Sequence, residues 1–134
     1  MEAIFSALTQ EMRLNPGIKD DQIIQVTLSL IHPLPKEFRS FLKFSNGAVG
    51  MIGEHYLEIV KAEDLADFNS VHFVPIDAPG LLIFGTDGGL EAYGFDYRKL
   101  EPTVVMVPFI GMEWDQAIEK GNNFLDFLQK LSVR

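Results

Sequence analysis

The chain has 134 residues, 47% of them apolar, with eleven Phe and a formal net charge of −8. A chain of this length and composition suits one domain that buries roughly two-thirds of its unfolded surface without help from a metal or disulfide, and it excludes a disordered polyanion. The absence of cysteine excludes disulfides, thiolate nucleophiles and Cys-based zinc sites together.

The acidity is spread over both halves of the chain. Nucleic acid is therefore repelled at long range, and a basic partner is attracted. The opening stretch MEAIFSALTQEMRL carries acids and lacks the basic region and long apolar run of a signal peptide. No apolar run approaches the roughly 20 residues of a membrane span. The expectation is a cytoplasmic protein with no membrane contact and no direct nucleic-acid contact.

In chain order, residues 2–15 place Ile4, Phe5, Leu8 and Met12 on one helical face, and Asn15-Pro16-Gly17 stops the helix. Asp20 or Asp21 caps a second helix with Ile24, Leu28 and Ile31 as its apolar stripe, although Val26, Leu28 and Leu30 also alternate as in a strand. Pro35 begins a helix over 35–45 with Phe38, Phe41, Leu42 and Ser45 on one face, and Asn46-Gly47 supplies a left-handed end. YLEIV at 56–60 alternates as a strand. A short helix follows to about Asn69, and 71–80, with Pro75, Pro79 and Gly80, reads as irregular. LLIFG, EAYGFD and TVVMVPF are three predicted strands, and 122–131 is an amphipathic helix with Phe124, Leu125, Phe127, Leu128 and Leu131. Helices followed by strands on short turns predict an α+β fold with a mainly antiparallel sheet.

Residues 82–96, LIFGTDGGLEAYGFD, invite comparison with a ligand loop. A Walker loop needs a Lys and a hydroxyl residue leading into a helix, and a dinucleotide fingerprint needs Gly-x-Gly-x-x-Gly opening one. Neither is present, and Asp87 alone does not make a calcium loop. Asp-Gly-Gly between two apolar runs predicts a hairpin turn, with Asp87, Glu91 and Tyr93 as candidate exposed contacts. His32, His55 and His72 show no metal-ligand spacing, and no serine lies in a nucleophile elbow. No catalytic residue, metal or cofactor is predicted. Trp114, between Glu113 and Asp115, suits either an interface anchor or the core. Tyr93, Phe95 and Tyr97 share a strand face, where aromatic pairs support a sheet.

The stretch LPKEFRSFLKFSNGAVG at 34–50 resembles the opening signature of the SUKH superfamily (Smi/Knr-type domains). There a Leu-Pro starts a helix of spaced aromatics that ends at Asn-Gly. YLEIVKAEDLADFN at 56–69 is similar to the family's strand and short helix ending in Asn, and LLIFGTDGGLEAYGFDYR at 81–98 to its hairpin. VVMVPF at 104–109 and NNFLDFLQKL at 122–131 resemble its last strand and closing helix. The resemblance runs from residue 18 to 134 in order, behind an N-terminal helix in 1–17, as one SUKH-like domain. Two departures stand out. Asn122-Asn123 replaces a frequent Ser, and Leu90 replaces a frequent Gly after Asp-Gly-Gly.

The resemblance implies helices flanking an antiparallel sheet and a non-enzymatic binding role. In bacteria the family is associated with immunity proteins that neutralise a polymorphic toxin, often a nuclease or deaminase. The first reading is therefore an immunity protein that occludes a basic cognate toxin. The partner-binding candidates are Glu54, His55 and Tyr56 before the first predicted strand, Asp87, Glu91 and Tyr93 on the hairpin, and Glu113, Trp114 and Asp115 in the last loop. A regulatory adaptor of the same fold is the alternative. A small-molecule binder with a cleft lined by Tyr56, Tyr93 and Trp114 is a third reading. The oligomeric state is left open.

Overall fold

A computed structural model describes residues 1–134. Its centre is one seven-stranded sheet in which every strand pairs antiparallel with the next, in the order β1 to β7. The strands are β1 (Met12–Leu14), β2 (Ala48–Ile52), β3 (His55–Ile59), β4 (Leu81–Thr86), β5 (Glu91–Asp96), β6 (Thr103–Pro108) and β7 (Ile118–Gly121). The helices are α1 (Glu2–Leu8), α2 (Asp20–Thr27), α3 (Lys36–Phe44), α4 (Leu65–Val71), α5 (Val74–Asp77) and α6 (Phe124–Ser132). The expected α+β architecture and mainly antiparallel sheet are present.

Alternation along the central strands divides two apolar clusters between the faces of the sheet. Leu82, Phe84, Tyr93, Phe95 and Val104 face the larger cluster, against α1, α3 and α6. Leu81, Ile83, Ala92, Val105 and Val107 face the smaller one, closed by Val74 of α5, by Ala78 just after it and by Met112. The large cluster is an aromatic network. Phe5 meets Phe41 edge-on at 5.2 Å, Phe38 meets Phe124 at 5.1 Å, and Phe84 stacks on Phe95 at 4.6 Å. Edge-to-face pairs each add about 0.5–1.5 kcal/mol beyond the area they bury, so this network fixes where α1, α3 and α6 dock.

Several local expectations change. The predicted first helix stops at Leu8, where the Thr9 hydroxyl donates to the Phe5 carbonyl at 2.7 Å. Met12 is buried as expected, but from β1 rather than from a helix. The second helix is present, but its buried face is Ile23, not the predicted stripe. Ile24, Leu28 and Ile31 are 60%, 76% and 74% exposed. Leu28 and Ile31 lie beyond α2, which ends at Thr27, and Val26 and Leu30 turn to the large cluster instead. The third helix ends on Ser45 in extended conformation. The left-handed residue is Gly47 (φ 80°), where a Cβ would lie 2.7 Å from the Ile59 carbonyl oxygen. Residues 71–80, read as irregular, hold the single turn α5, entered through Phe73 at φ 56°. Asn123 caps α6 by accepting from the Asp126 N–H at 2.8 Å. The departure from Ser is thus chemically conservative, since Asn and Ser cap helices about equally well.

Candidate functional site

In an antiparallel meander, alternate turns share an end of the sheet. The β2–β3 and β4–β5 turns lie at one end, and the Tyr56 ring comes within 2.6 Å of where a Gly88 Cβ would be. This end collects Glu54, His55, Tyr56, Asp87 and Glu91. His55 is exposed, with Nδ1 3.1 Å from the Leu131 carbonyl oxygen at the end of α6. The Tyr56 hydroxyl donates to Glu58 at 2.8 Å, and that bond raises the phenol's pKa.

The β4–β5 loop is a four-residue hairpin connection, with Gly88 at φ 81°. The Asp87 carboxylate Oδ1 accepts the N–H groups of Gly89 (2.8 Å) and Glu91 (3.2 Å). Its first task is therefore to build the turn. Leu90 projects with 75% exposure.

Tyr93 does not join this surface. It is 4% exposed, packed on Phe127 at 4.8 Å, and burial raises its pKa, reinforced by Asp87 and Glu91. Its position on β5 points it into the large cluster. Trp114 lies on the opposite face of the sheet, half-buried against the small cluster, because the segment after β6 folds back over that face. Its indole N–H donates to the Pro79 carbonyl at 2.8 Å. The Arg98 guanidinium lies over its ring at 3.5 Å and is bidentate on the buried Asp96. Glu113 and Asp115 beside it are exposed. The cleft imagined between Tyr56, Tyr93 and Trp114 is therefore not formed. Tyr56 is exposed at the turn end, Tyr93 is in the core, and Trp114 packs on the other face.

A cavity lined by none of these candidate residues was not anticipated. Strand β3 pairs with β4 only at Glu58–Thr86 and Ile59–Gly85, and Gly85 permits the approach, since a Cβ there would lie 2.3 Å from the Glu58 carbonyl oxygen. The chain then leaves the sheet. The Asn46 side chain accepts from the Ala62 N–H and donates to Glu63, both at 2.8 Å, which anchors the turn into α4 and lowers the Glu63 pKa. Asn69 of α4 takes the place of the missing strand. Its amide accepts from the Ile83 N–H at 2.8 Å and donates to the Ile83 and Leu65 carbonyls at 2.9 Å.

Between this helical detour and the α2–α3 connection lies a cleft of ≈ 720 Å³. Leu30 and Ile31 line one wall, Phe73 and Ile76 the other, and Leu81 and Leu82 also contribute. Next to the lining residue His32, Tyr97 stacks on its ring at 4.5 Å and donates its hydroxyl to the Pro33 carbonyl. Burial raises the Tyr97 pKa strongly. The sequence signal for this cleft was present in Ile31, Phe73 and Ile76, three large apolar residues in the two segments whose patterns were least regular.

No group of three or more His, Cys, Asp or Glu side chains is positioned to hold a metal ion. No helix is long and apolar enough to cross a membrane.

A sequential antiparallel sheet with α1, α3 and α6 on one face, α5 on the other and α4 along the free part of β4 defines an α+β protein built around one sheet. The model of the SMI1 / KNR4 family (SUKH-1) matches residues 17–130, and the chain belongs to that family. No curated protein matches the chain. Family membership is consistent with a toxin-immunity or related binding role.

Proposed function

We propose that the protein is a non-enzymatic immunity protein that binds a basic cognate toxin in the cytoplasm and covers its active site. The observation that supports this most is the charge layout. Residues 62–95, which build α4, α5, β4 and most of β5, contain Glu63, Asp64, Asp67, Asp77, Asp87 and Glu91 and no Lys or Arg. A field of one sign draws a partner of the other sign and speeds its association. A nuclease-like toxin must present a basic groove to its substrate, and an acidic protein that fills the groove shuts the substrate out. Specific pairs of this kind bury about 1,600 Å² in total. The candidate contacts at the turn end are Glu54, His55, Tyr56 and Glu91, with Glu113, Trp114 and Asp115 on the far face.

The test is affinity capture with the tagged full chain from its native cell. The expected result is a one-to-one complex with a basic toxin domain whose activity is lost on titration with the protein. Recovery of housekeeping proteins alone overturns the immunity reading in favour of an adaptor.

A further inference from the structure

Three large apolar residues that line one cleft are left uncovered. Ile31 is 74% exposed on the α2 side, while Phe73 and Ile76 are 61% and 76% exposed on the α4–α5 side. Single exposed apolar residues are ordinary, but a contiguous group around a concavity marks a binding surface.

Phe73 adds an independent sign. A bulky residue in the left-handed region is a genuine outlier. Phe73 sits there (φ 56°, ψ 29°) with 61% of its surface in solvent, so burial gives little return for the conformation. Strain of this kind collects at sites of function.

The backbone at the cleft decides how a partner is held. The Leu81 N–H already bonds the Ala78 carbonyl, and the Ile83 N–H already bonds Asn69. A partner strand could not add to β4 through these donors, so recognition falls to side chains, as in a helix laid into a groove. The lining residues include no Lys or Arg, and Asp67 and Asp77 are exposed on the α4 and α5 side. The nearby Arg98 is committed to Asp96.

We infer that this cleft receives an amphipathic helix of the partner protein, with apolar anchors one turn apart and Lys or Arg on its flanks. The inference rests on the reading of the chain as a protein-binding domain, not on the partner being a toxin.

The probe is a displayed library of 15-residue helix-forming peptides with apolar residues at i, i+4 and i+7 and randomised flanks, selected on the full chain. Basic flanks are expected to be enriched, with binding that weakens as salt rises. Ile31→Glu and Ile76→Glu, both at exposed positions, are each expected to lower the affinity of a selected peptide at least tenfold, with an unchanged circular dichroism spectrum. Leu90→Glu at the turn end is expected to leave it unchanged. Enrichment of acidic flanks, no enrichment, or equal binding by both Ile variants overturns the inference. So does a concentration-dependent dimer that Ile76→Glu dissociates, since the occupant would then be a second copy of the chain. Peptide binding without any toxin in the capture experiment keeps the cleft and removes the immunity reading. A captured toxin bound equally well by both Ile variants does the reverse.

Discussion

Asn69 replaces a strand with one side chain, and that substitution can be weighed. Asn69→Leu keeps the branched shape and the number of heavy atoms and removes three hydrogen bonds at a residue that is 6% exposed. The N–H and C=O of Ile83 then lose their partner in a fully buried position. Each such group costs about 1–3 kcal/mol, and the added apolar burial returns about 1 kcal/mol. The expected loss is therefore about 3 kcal/mol. With an unfolding entropy of about 2.1 cal/mol/K per residue, that lowers Tm by roughly 10 °C. Urea unfolding at pH 7, followed by circular dichroism, measures it directly. Asn69→Asp sharpens the test. It keeps an acceptor for the Ile83 N–H but sets a carboxylate against two carbonyls. Its pKa in the folded protein is raised, so the variant is more stable at low pH and loses stability as pH rises through that value. A loss below about 1 kcal/mol in Asn69→Leu would refute the assignment, as would an Asn69→Asp variant with no pH dependence beyond that of the parent.

Three further outcomes are expected. At position 73, glycine accepts the left-handed conformation and alanine does not, so Phe73→Gly is expected to be more stable than Phe73→Ala by roughly 0.5–1 kcal/mol in urea midpoints; the reverse order would show that Phe73 is unstrained. Asp87→Ala removes the acceptor of two backbone N–H groups and is expected to cost about 1 kcal/mol, whereas Asp87→Asn keeps an oxygen there and stays within about 0.5 kcal/mol of the parent. The Asn46 amide lowers the pKa of Glu63, so this contact stabilises the fold above the unfolded carboxylate pKa of about 4.3 and is lost as pH falls through the folded value. Asn46→Ala is expected to raise the Glu63 pKa toward the ordinary range in an NMR titration, and no movement would sink the assignment.

The legible parts of the fold were those with a strong period. Phe38, Phe41 and Leu42 on α3, the alternation in β4 to β6, and the Phe and Leu stripe of α6 all face the core as their spacing requires. Strands β1, β2 and β7 escaped for a common reason. They have three to five residues, and their burial alternates poorly because β1 and β7 are edges and β2 carries Gly50. The candidate site was half legible. Turn chemistry located Asp87 and Glu91, but periodicity could not reveal that Tyr93 points inward to Phe127 while Trp114 crosses to the other face. That distinction depends on which face of the sheet the large helices choose. Asn69 was visible as part of a family pattern, but its task exists only because β3 parts from β4.

The strictly sequential order of the strands has a kinetic consequence. Chains whose contacts are local in sequence close short loops early and fold fast. From β2 onward, each strand here can zip onto the one made just before it. The contact between the rings of Phe5 and Phe124, 6.4 Å apart, joins opposite ends of the chain and closes a long loop. The docking of α1 and β1 is thus predicted to be the late step of assembly and the first to reverse. Amide exchange in residues 2–14 should report that opening well below the free energy of global unfolding, while β4, β5 and β6 exchange only with it.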